Sequence, residues 1–287
     1  MNLLLTGASG FVGTYFLENY TKNHNIIVYS FLKDSFENLE LNSVETVVHL
    51  SALVHQMGGA TKSEYERVNV IQTLDLAKKA KLSGVRHFIF MSSVKVYGEE
   101  SNSAYAENSI CKPKDEYGKS KLNAEQALKK LEDKDFLVSI VRTPIVYGYG
   151  VKGNIKSLIN LVDRVPILPF GDINNKRSMV YIGNLCYIVD MIINKSLAGI
   201  FLASDEKTLS TKEFIKSIAK VLEKKVYLIN IPFFAIILKK IKPSFYKRLY
   251  ESLEVDNSDT MQKLFNDAKI SLPYSVKDGI RYMIKGE

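Results

Sequence analysis

The sequence predicts a doubly wound α/β fold, a Rossmann-type arrangement in which helices cover both faces of a mostly parallel sheet. Short, continuously apolar runs alternate with helix-length segments in the first half of the chain. The runs begin at Leu3, Ile26, Thr46, Phe88 and Val138. Strands that are buried on both faces of a parallel sheet have this composition, and a βαβα order is typical of a doubly wound sheet.

The helical segments lie between these runs and continue into the second half. We predict helices over 11–20, 64–82, 117–132, 155–163, 184–195 and 211–223. The last begins after Ser210, which can form a capping box with Glu213. Further strands are expected at 199–203 and 226–230. The segment 31–46 is too short for another strand and helix, so we expect a loop or a trimmed sheet there.

We divide the chain into a Rossmann domain, 1–150, and a smaller α/β region, 151–287, intertwined with the first. Of its 287 residues 46% are apolar and 24% charged, which excludes a disordered chain, a collagen and a coiled coil. The two cysteines, Cys111 and Cys186, match no disulfide framework and no zinc spacing, so we expect no metal site. The N-terminal residues do not resemble a signal peptide, and we expect a cytoplasmic protein.

The net charge is +8, which suits an anionic ligand or surface without identifying one. The lysines are spread along the helical segments and are not interleaved with aromatic residues. This pattern does not predict a nucleic-acid partner. The stretch 231–240 is strongly apolar and then basic. It fits either a core or substrate-lid helix or an amphipathic segment that docks weakly on an anionic membrane surface.

A glycine-rich turn, TGASGFVG, lies between the first strand and the first helix. In such a turn the first glycine permits a tight bend, the second lets the backbone approach a phosphate, and the third lets the helix pack against the strand. The helix N-terminus then directs N–H groups at the anion. The predicted pyrophosphate cradle consists of Gly7, Ser9, Gly10, Phe11, Val12 and Gly13.

The end of the second strand usually distinguishes NAD from NADP, because a carboxylate there accepts the 2′-hydroxyl of NAD and repels a 2′-phosphate. Ser30 occupies this position, and the next carboxylate along the chain is Asp34. Lys33 is near enough to meet a phosphate. The sequence therefore leaves NAD and NADP open, with Ser30 and Lys33 as candidate contacts.

Tyr117 and Lys121 are four residues apart on a predicted helix and so share one face. A cation beside a phenol lowers the pKa of the phenol, which would make Tyr117 an acid–base group near neutral pH. Ser93 follows the apolar strand 86–91, where hydroxyls face the ligand crevice of an open sheet. We therefore predict Ser93, Tyr117 and Lys121 as the catalytic residues.

These motifs, in this order and spacing, resemble those of extended short-chain dehydrogenase/reductases. TGASGFVG, SSVKVYG and YGKSK carry the resemblance, and the stretches 49–52, 142–148 and 177–185 add to it. Within that family the chain is similar to the UDP-glucose 4-epimerase-like branch. It is more closely similar to bacterial 4-ketoreductases that form UDP-N-acetylquinovosamine, through SSVKVYGE, YGYGVKGNIKSL, NKRSMVYIGNL and SLEVDNS.

The resemblance implies that the domain 1–150 binds NAD(P) and that the region 151–287 binds the nucleotide-sugar substrate. It also implies a role for each matching residue. Tyr117 would protonate a 4-keto oxygen, Lys121 would lower its pKa and bind the nicotinamide ribose, and Ser93 would orient the sugar oxygen. The other implied cofactor contacts are Leu50, Ser51, Ala52, Asn69 and Pro144. Among the implied substrate contacts, Tyr147 would help to shape the nicotinamide pocket and Arg177 would bind the pyrophosphate of UDP. Lys95 would either touch the substrate or point to solvent. The full set of implied substrate contacts is Lys95, Tyr147, Asn154, Arg177 and Arg248.

Three functions remain open at this point. The first is NAD(P)H-dependent reduction of the C4 keto group of a UDP-linked 4-keto-6-deoxy-N-acetylhexosamine, in surface polysaccharide precursor synthesis. The second is a UDP-sugar 4-epimerase with tightly bound NAD. The third is a non-catalytic nucleotide-sensing protein. The resemblance also implies a homodimer formed through the helices 64–82 and 117–132.

Overall fold

The computed structural model describes residues 1–54, 60–265 and 271–286. In this part of the chain, six parallel strands form one sheet in the order β2-β1-β3-β4-β5-β9. The strand order reverses between β1 and β3, so their carboxyl ends flank the crevice in which such sheets bind ligands. The doubly wound fold predicted from the sequence is confirmed. The strands of this sheet are β1 (Asn2–Thr6), β2 (Asn25–Tyr29), β3 (Thr46–His49), β4 (His87–Ser93), β5 (Leu137–Thr143) and β9 (Gly199–Leu202).

Two short parallel pairs lie outside the main sheet. They are β6 (Ile145–Tyr147) with β8 (Met179–Tyr181), and β7 (Ile167–Leu168) with β10 (Tyr227–Leu228). Because β9 joins the main sheet, the boundary predicted near residue 150 does not separate the strands of that sheet, and the division into domains stays a prediction.

Helices cover both faces of the sheet. The helices α2 (Lys62–Tyr65) and α3 (Gln72–Leu82) form one continuous rod, because the π-helical turn Glu66–Ile71 joins them. A 3₁₀ turn, Val94–Val96, follows β4. None of the helices in the described residues is long and apolar enough to cross a bilayer. The helices are α1 (Phe11–Tyr20), α2 (Lys62–Tyr65), α3 (Gln72–Leu82), α4 (Glu116–Lys129), α5 (Gly153–Arg164), α6 (Ile182–Lys195), α7 (Thr211–Val221), α8 (Phe234–Ile241), α9 (Pro243–Tyr250), α10 (Ser258–Phe265) and α11 (Val276–Lys285).

The predicted helices are all present, although their ends differ and 64–82 contains a π-helical turn, whereas α9, α10 and α11 were not predicted. The capping box of α7 is present: the Ser210 hydroxyl accepts from the Glu213 N–H at 3.1 Å, and the Glu213 carboxylate accepts from the Ser210 N–H at 2.8 Å. Among the described residues 30–45, turns replace the strand and helix that a longer chain would form there, as expected. The strand predicted at 226–230 is shorter than expected.

The core has one apolar layer on each face of the sheet, because neighbouring residues of a strand point to opposite faces. Leu3 and Leu5 of β1 pack on the layer that contains α6, whereas Leu4 packs on the layer that contains α3 and α4. All three leucines are fully buried. This two-sided burial explains why the strands are apolar throughout.

A buried ion pair joins α4 to β5. The Arg142 guanidinium donates to both carboxylate oxygens of Glu125, at 3.1 and 2.6 Å, and the side chains are only 4% and 3% exposed. Ser92 donates to the same carboxylate, and Arg142 also donates to the Tyr97 hydroxyl at 2.6 Å. Because both charges have left water, each depends on the other for compensation.

Glu125→Gln should lower the free energy of unfolding by about 3–5 kcal/mol, because it leaves the Arg142 cation buried without its counter-charge. The measurement is urea denaturation at neutral pH. Glu116→Gln is the matched control on the same helix, because Glu116 pairs with Lys119 at the surface. The control should cost less than about 1 kcal/mol. Equal losses in the two variants would contradict a special role for the buried pair.

Candidate functional site

The glycine turn after β1 is closed tightly against its neighbours. Gly7 has φ +74°, and a Cβ there would lie 2.7 Å from the Ser51 nitrogen. A Cβ on Gly13 would lie 2.2 Å from the Gly7 carbonyl oxygen. The Gly10 N–H donates to that same oxygen at 2.9 Å. Side chains at positions 7 and 13 would therefore break the turn.

This turn leads directly into α1, whose N-cap is Gly10 and has no side chain to cap the helix. Ser9 and Gly10 are exposed, and Phe11 and Val12 are half-buried beside them. The first N–H groups of the helix are uncapped, and the glycine backbone, which has no side chain, leaves them accessible to a ligand. Both features suit the binding of a pyrophosphate. The predicted cradle residues therefore fit a dinucleotide cofactor.

A chain of hydrogen bonds ties together the strand ends behind the turn. Thr73 donates to the Asn69 carbonyl at 2.9 Å, so its oxygen accepts from His49 Nε2 at 2.9 Å, and in this tautomer His49 Nδ1 accepts from Thr6 at 2.8 Å. Burial, aided by the charge of Lys121, lowers the pKa of His49 to about 3. His49 is therefore neutral at physiological pH and acts as a fixed donor and acceptor.

Asn69 holds the segment that follows β3. Its amide accepts from the Leu53 N–H at 2.8 Å and donates to the Leu53 carbonyl at 3.0 Å and to Ser120 of α4 at 2.9 Å. Asn69 is fully buried and lies in the π-helical turn. Residues 50–52, predicted to line the cofactor, run half-buried beside the glycine turn. Asn69 thus supports this segment through its backbone.

Ser93 and Tyr117 meet where β4 ends and α4 begins. The Ser93 hydroxyl lies close enough to the Tyr117 phenol to affect its pKa, and the Lys95 N–H donates to Ser93 Oγ at 3.3 Å. Desolvation raises the pKa of Tyr117 to about 12, the Ser93 hydroxyl opposes this rise, and the charge of Asp115 adds to it. Tyr117 is therefore protonated at neutral pH and able to donate a proton.

The sequence led us to expect that Lys121 would lower the pKa of Tyr117, and this expectation is wrong for the structure. Lys121 Nζ instead donates to the Met91 carbonyl at 2.7 Å and lies 4.4 Å from the centre of the Phe90 ring. Burial lowers the pKa of Lys121 to about 7, and the charge of Glu125 opposes this shift. Desolvation is the largest cause of the shift in the pKa of Tyr117, and Lys121 is not among its causes.

Asn154, Arg177 and Arg248, which come from three separate segments, line one cavity of about 360 Å³. Arg248 donates to Asn154 Oδ1 at 3.1 Å, and Arg177 donates to the Glu251 carbonyl at 3.0 Å. Both arginines can bind a diphosphate through bidentate hydrogen bonds. Apolar side chains form most of the remaining wall, among them Ile145, Ile155, Leu158, Phe170, Phe245 and Leu249.

Tyr147 does not take the role in substrate binding that was predicted for it. Its side chain is fully buried, and its hydroxyl donates to Asp205 at 2.7 Å. The Asp205 carboxylate also accepts from the Tyr181 N–H and from Asn184, so this cluster holds Tyr147 in the core. Pro144, the other residue predicted to shape the nicotinamide pocket, is buried between β5 and β6.

Lys95 lies at the rim of the site as part of an ion-pair cluster. Its amine pairs with Asp115, the N-cap of α4, and lies 3.5 Å from Glu99. Its charge is thus compensated within the protein. This arrangement gives no support to the predicted contact between Lys95 and the substrate. The Lys95 carbonyl lies close to Gly118, where a Cβ would approach it to 2.7 Å.

The loop after β2 contains a carboxylate contact that the sequence did not predict. Asp34 accepts from the Ser30 N–H at 2.8 Å, which brings its carboxylate back to the end of β2. Lys33 is exposed beside it. Asp34 and Lys33 therefore stand with opposite charges near the position that usually discriminates NAD from NADP.

Two further residues that shape the site were missed in the sequence. The charge of Glu125 affects the pKa of Lys121. Glu125 lies four residues after Lys121 on the same helix, and this spacing could have identified the pair from the sequence. Ser120 links Asn69 to the Tyr117 carbonyl, which its hydroxyl bonds at 2.8 Å. Within the described part of the chain, no group of three or more His, Cys, Asp or Glu side chains is placed to hold a metal ion.

The depressed pKa of Lys121 predicts a pH-dependent stability. Between the pKa of about 7 in the folded state and 10.5 in the unfolded state, the unfolded chain binds more protons, so stability rises with pH. From pH 7 to pH 9 the Lys121 contribution should add about 2 kcal/mol to the free energy of unfolding. Lys121→Met removes the titrating group and should remove this increment, as measured by urea denaturation at the two pH values. An unchanged increment in the variant would contradict the assignment.

Comparison with known proteins agrees with this geometry. The model of the NAD dependent epimerase/dehydratase family matches residues 3–201. The UDP-glucose 4-epimerase of Vibrio cholerae is 36% identical over 296 residues, which cover 92% of this chain and 89% of that protein. The N-acetyl-α-D-glucosaminyl-diphospho-ditrans,octacis-undecaprenol 4-epimerase of Escherichia coli O157:H7 is 29% identical, covering 81% of this chain and 76% of that protein.

Solved structures show the same fold at lower identity. The dTDP-4-dehydrorhamnose reductase of Bacillus anthracis in complex with NADP superposes with a TM-score of 0.75 at 21% identity, covering 100% of this chain and 99% of that one. The family match extends over more than half of the sequence and includes the glycine turn and the Ser93, Tyr117 and Lys121 positions. The chain therefore belongs to the NAD dependent epimerase/dehydratase family and is an NAD(P)-dependent enzyme.

Proposed function

We propose that this enzyme oxidises or reduces C4 of a UDP-linked sugar. The observation that carries the proposal is the juxtaposition of Ser93 and Tyr117 at the carboxyl end of β4, which lies at the same end of the parallel sheet as the glycine turn that follows β1. The names of the relatives, which describe 4-epimerases, support C4 as the reacting position. The two arginines on the neighbouring cavity suit the diphosphate of the substrate.

The nicotinamide cofactor, when bound, supplies or accepts the hydride. Tyr117, whose pKa is about 12, holds its proton at neutral pH and gives it to the C4 oxygen during reduction of a ketone. Ser93, whose hydroxyl lies next to the phenol of Tyr117, orients the same oxygen. Lys121, whose amine titrates near neutral pH, lies close by on the same helix face. In the oxidation direction Tyr117 enters as the phenolate, which takes the proton of the C4 hydroxyl as the hydride leaves.

Two forms of this chemistry use the same residues. A 4-epimerase oxidises C4 and reduces it from the other face, with no net redox change, and the names of both relatives support this form. A 4-ketoreductase acts once on a 4-keto-6-deoxy-N-acetylhexosamine, and the sequence stretches named above support that form. The UDP-N-acetylquinovosamine branch, the homodimer, the cytoplasmic location and the polysaccharide pathway stay predictions. Membership of an enzyme family argues against the nucleotide-sensing alternative.

Absorbance at 340 nm separates the two forms. Purified enzyme is mixed with NADH or NADPH and UDP-2-acetamido-2,6-dideoxy-4-hexulose. Stoichiometric loss of absorbance identifies the ketoreductase, and the two rates show which cofactor the loop with Asp34 and Lys33 prefers. No loss, together with interconversion of UDP-hexoses without added cofactor, identifies the epimerase. No reaction in either assay would contradict the proposal.

Tyr117→Phe should reduce turnover by roughly 10²–10⁴-fold, because it removes the proton donor while the ring remains. Binding of the nucleotide sugar, measured by calorimetry, should be retained, because the diphosphate contacts lie elsewhere. Tyr227→Phe, a change of the same kind on the surface strand β10, is the control and should keep wild-type turnover. Normal turnover in Tyr117→Phe would rule out both forms of the mechanism.

A second candidate substrate is a sugar carried on a polyprenyl diphosphate. The mainly apolar wall of the cavity around Arg177 and Arg248 favours it, since a UDP moiety needs more polar partners. The E. coli relative is named for such a substrate. The diphosphate is common to both candidates. Parallel epimerisation assays with a UDP-N-acetylhexosamine and its undecaprenyl diphosphate counterpart, in detergent, distinguish them through the ratio of kcat/KM values.

A further inference from the structure

We propose that the surface around α8 docks on an anionic lipid bilayer. This α8 surface is defined by a cluster of exposed apolar side chains, which are Ile229, Ile231, Phe233, Ile236, Ile237 and Ile241. The proposal does not rest on the function proposed above, because it concerns a face of the protein and not the catalytic residues.

The helix α8 is apolar on two sides. Phe234 and Leu238, one turn apart, pack on the core, and the Phe234 ring lies 6.3 Å from that of Phe170. Ile236 and Ile237 lie on the outer side and are 56% and 53% exposed. A helix that is apolar all round normally has partners all round, and a surface helix normally carries a polar outer face. The outer side of α8 therefore calls for an apolar partner.

The residue before α8 adds to this surface in an unusual way. Phe233 is the N-cap of the helix, has φ +63° and is 73% exposed. A bulky residue seldom adopts a positive φ, because its Cβ crowds the backbone. This conformation holds an aromatic ring on the outside, next to Ile236 and Ile237. Aromatic side chains in such positions are typical of segments that insert at a membrane interface.

The charge of the same segment selects an anionic partner. Residues 231–250 contain five lysines and arginines and no aspartate or glutamate. Lys239, Lys240 and Lys242 are exposed at the end of α8. Apolar side chains that enter a bilayer beside cations at the headgroup level form the pattern of an interfacial helix. A protein partner of ordinary polarity would not need both features on so small a surface.

This surface is continuous with the substrate cavity. α9 follows α8 directly, and its Phe245 is 42% exposed while also lining the cavity that contains Arg177 and Arg248. Docking through the α8 surface would bring that cavity close to the lipid headgroups. The helices are too short to span the bilayer, so the contact is peripheral.

Sedimentation with lipid vesicles tests the proposal. The full-length protein should pellet with vesicles of phosphatidylglycerol and phosphatidylcholine, and much less with phosphatidylcholine alone. Raising the salt concentration should weaken the binding, because the lysines contribute electrostatically. Ile236→Ser/Ile237→Ser should reduce the partition coefficient by about tenfold or more, since it removes two apolar side chains that would enter the interface. Val28→Ser/Ile110→Ser, two exposed apolar residues elsewhere, should bind like the wild type.

Three outcomes would overturn the proposal: no binding of the wild type to anionic vesicles at low salt, equal binding to both kinds of vesicle, or equal loss of binding in the two double variants.

Sedimentation velocity without lipid tests for a second copy of the chain on this face. Dissociation of a wild-type dimer by Ile236→Ser/Ile237→Ser, without any vesicle binding by the wild type, would assign the face to self-association. Turnover of a soluble nucleotide sugar should be the same in both variants, so failure of docking is distinguishable from failure of the proposed function.

Discussion

The attachment of α4 to the ends of β4 and β5 is the constraint on which the site depends. Lys121 bonds the Met91 carbonyl, and Glu125 receives hydrogen bonds from Ser92 and Arg142. These contacts lie within two turns of α4 and are buried, so the helix has little freedom to rotate or slide. Tyr117, one turn earlier, is thereby held against Ser93. The arrangement of Ser93 and Tyr117 thus follows from polar contacts that themselves need the core around them.

Burial, more than neighbouring charge, governs the titration of the site. It raises the pKa of Tyr117 and lowers those of Lys121 and His49, because each charged form loses water. At neutral pH the phenol is protonated, the imidazole is neutral, and the amine is near its midpoint. The compensating charge of Glu125 is shared between Lys121 and Arg142. A site of this kind holds protons ready for transfer while carrying little net charge itself.

The C-terminal part of the chain makes a different use of apolar residues. In the sheet they fill two layers and exclude water, whereas around α8 they remain on the outside beside lysines. The same part of the chain supplies Arg248 to the cavity. The proposed substrate contacts and the α8 surface are therefore joined in one region, while the proposed cofactor contacts lie at the carboxyl ends of β1, β2 and β3.

The sequence by itself determined the parallel strands, the glycine turn, the main helices and the pairing of Tyr117 with Lys121 on one helix face. These features depend on local patterns of apolar residues and on spacing along a helix, which a single segment contains. Only the tertiary structure decided that Tyr147 is buried against Asp205, that Asn154, Arg177 and Arg248 share a cavity, and that Asp34 returns to Ser30. It also decided the direction of the pKa shift of Tyr117 and the exposure of α8. Each of these depends on how much water remains around a group once segments distant in sequence have packed, and no local pattern records that.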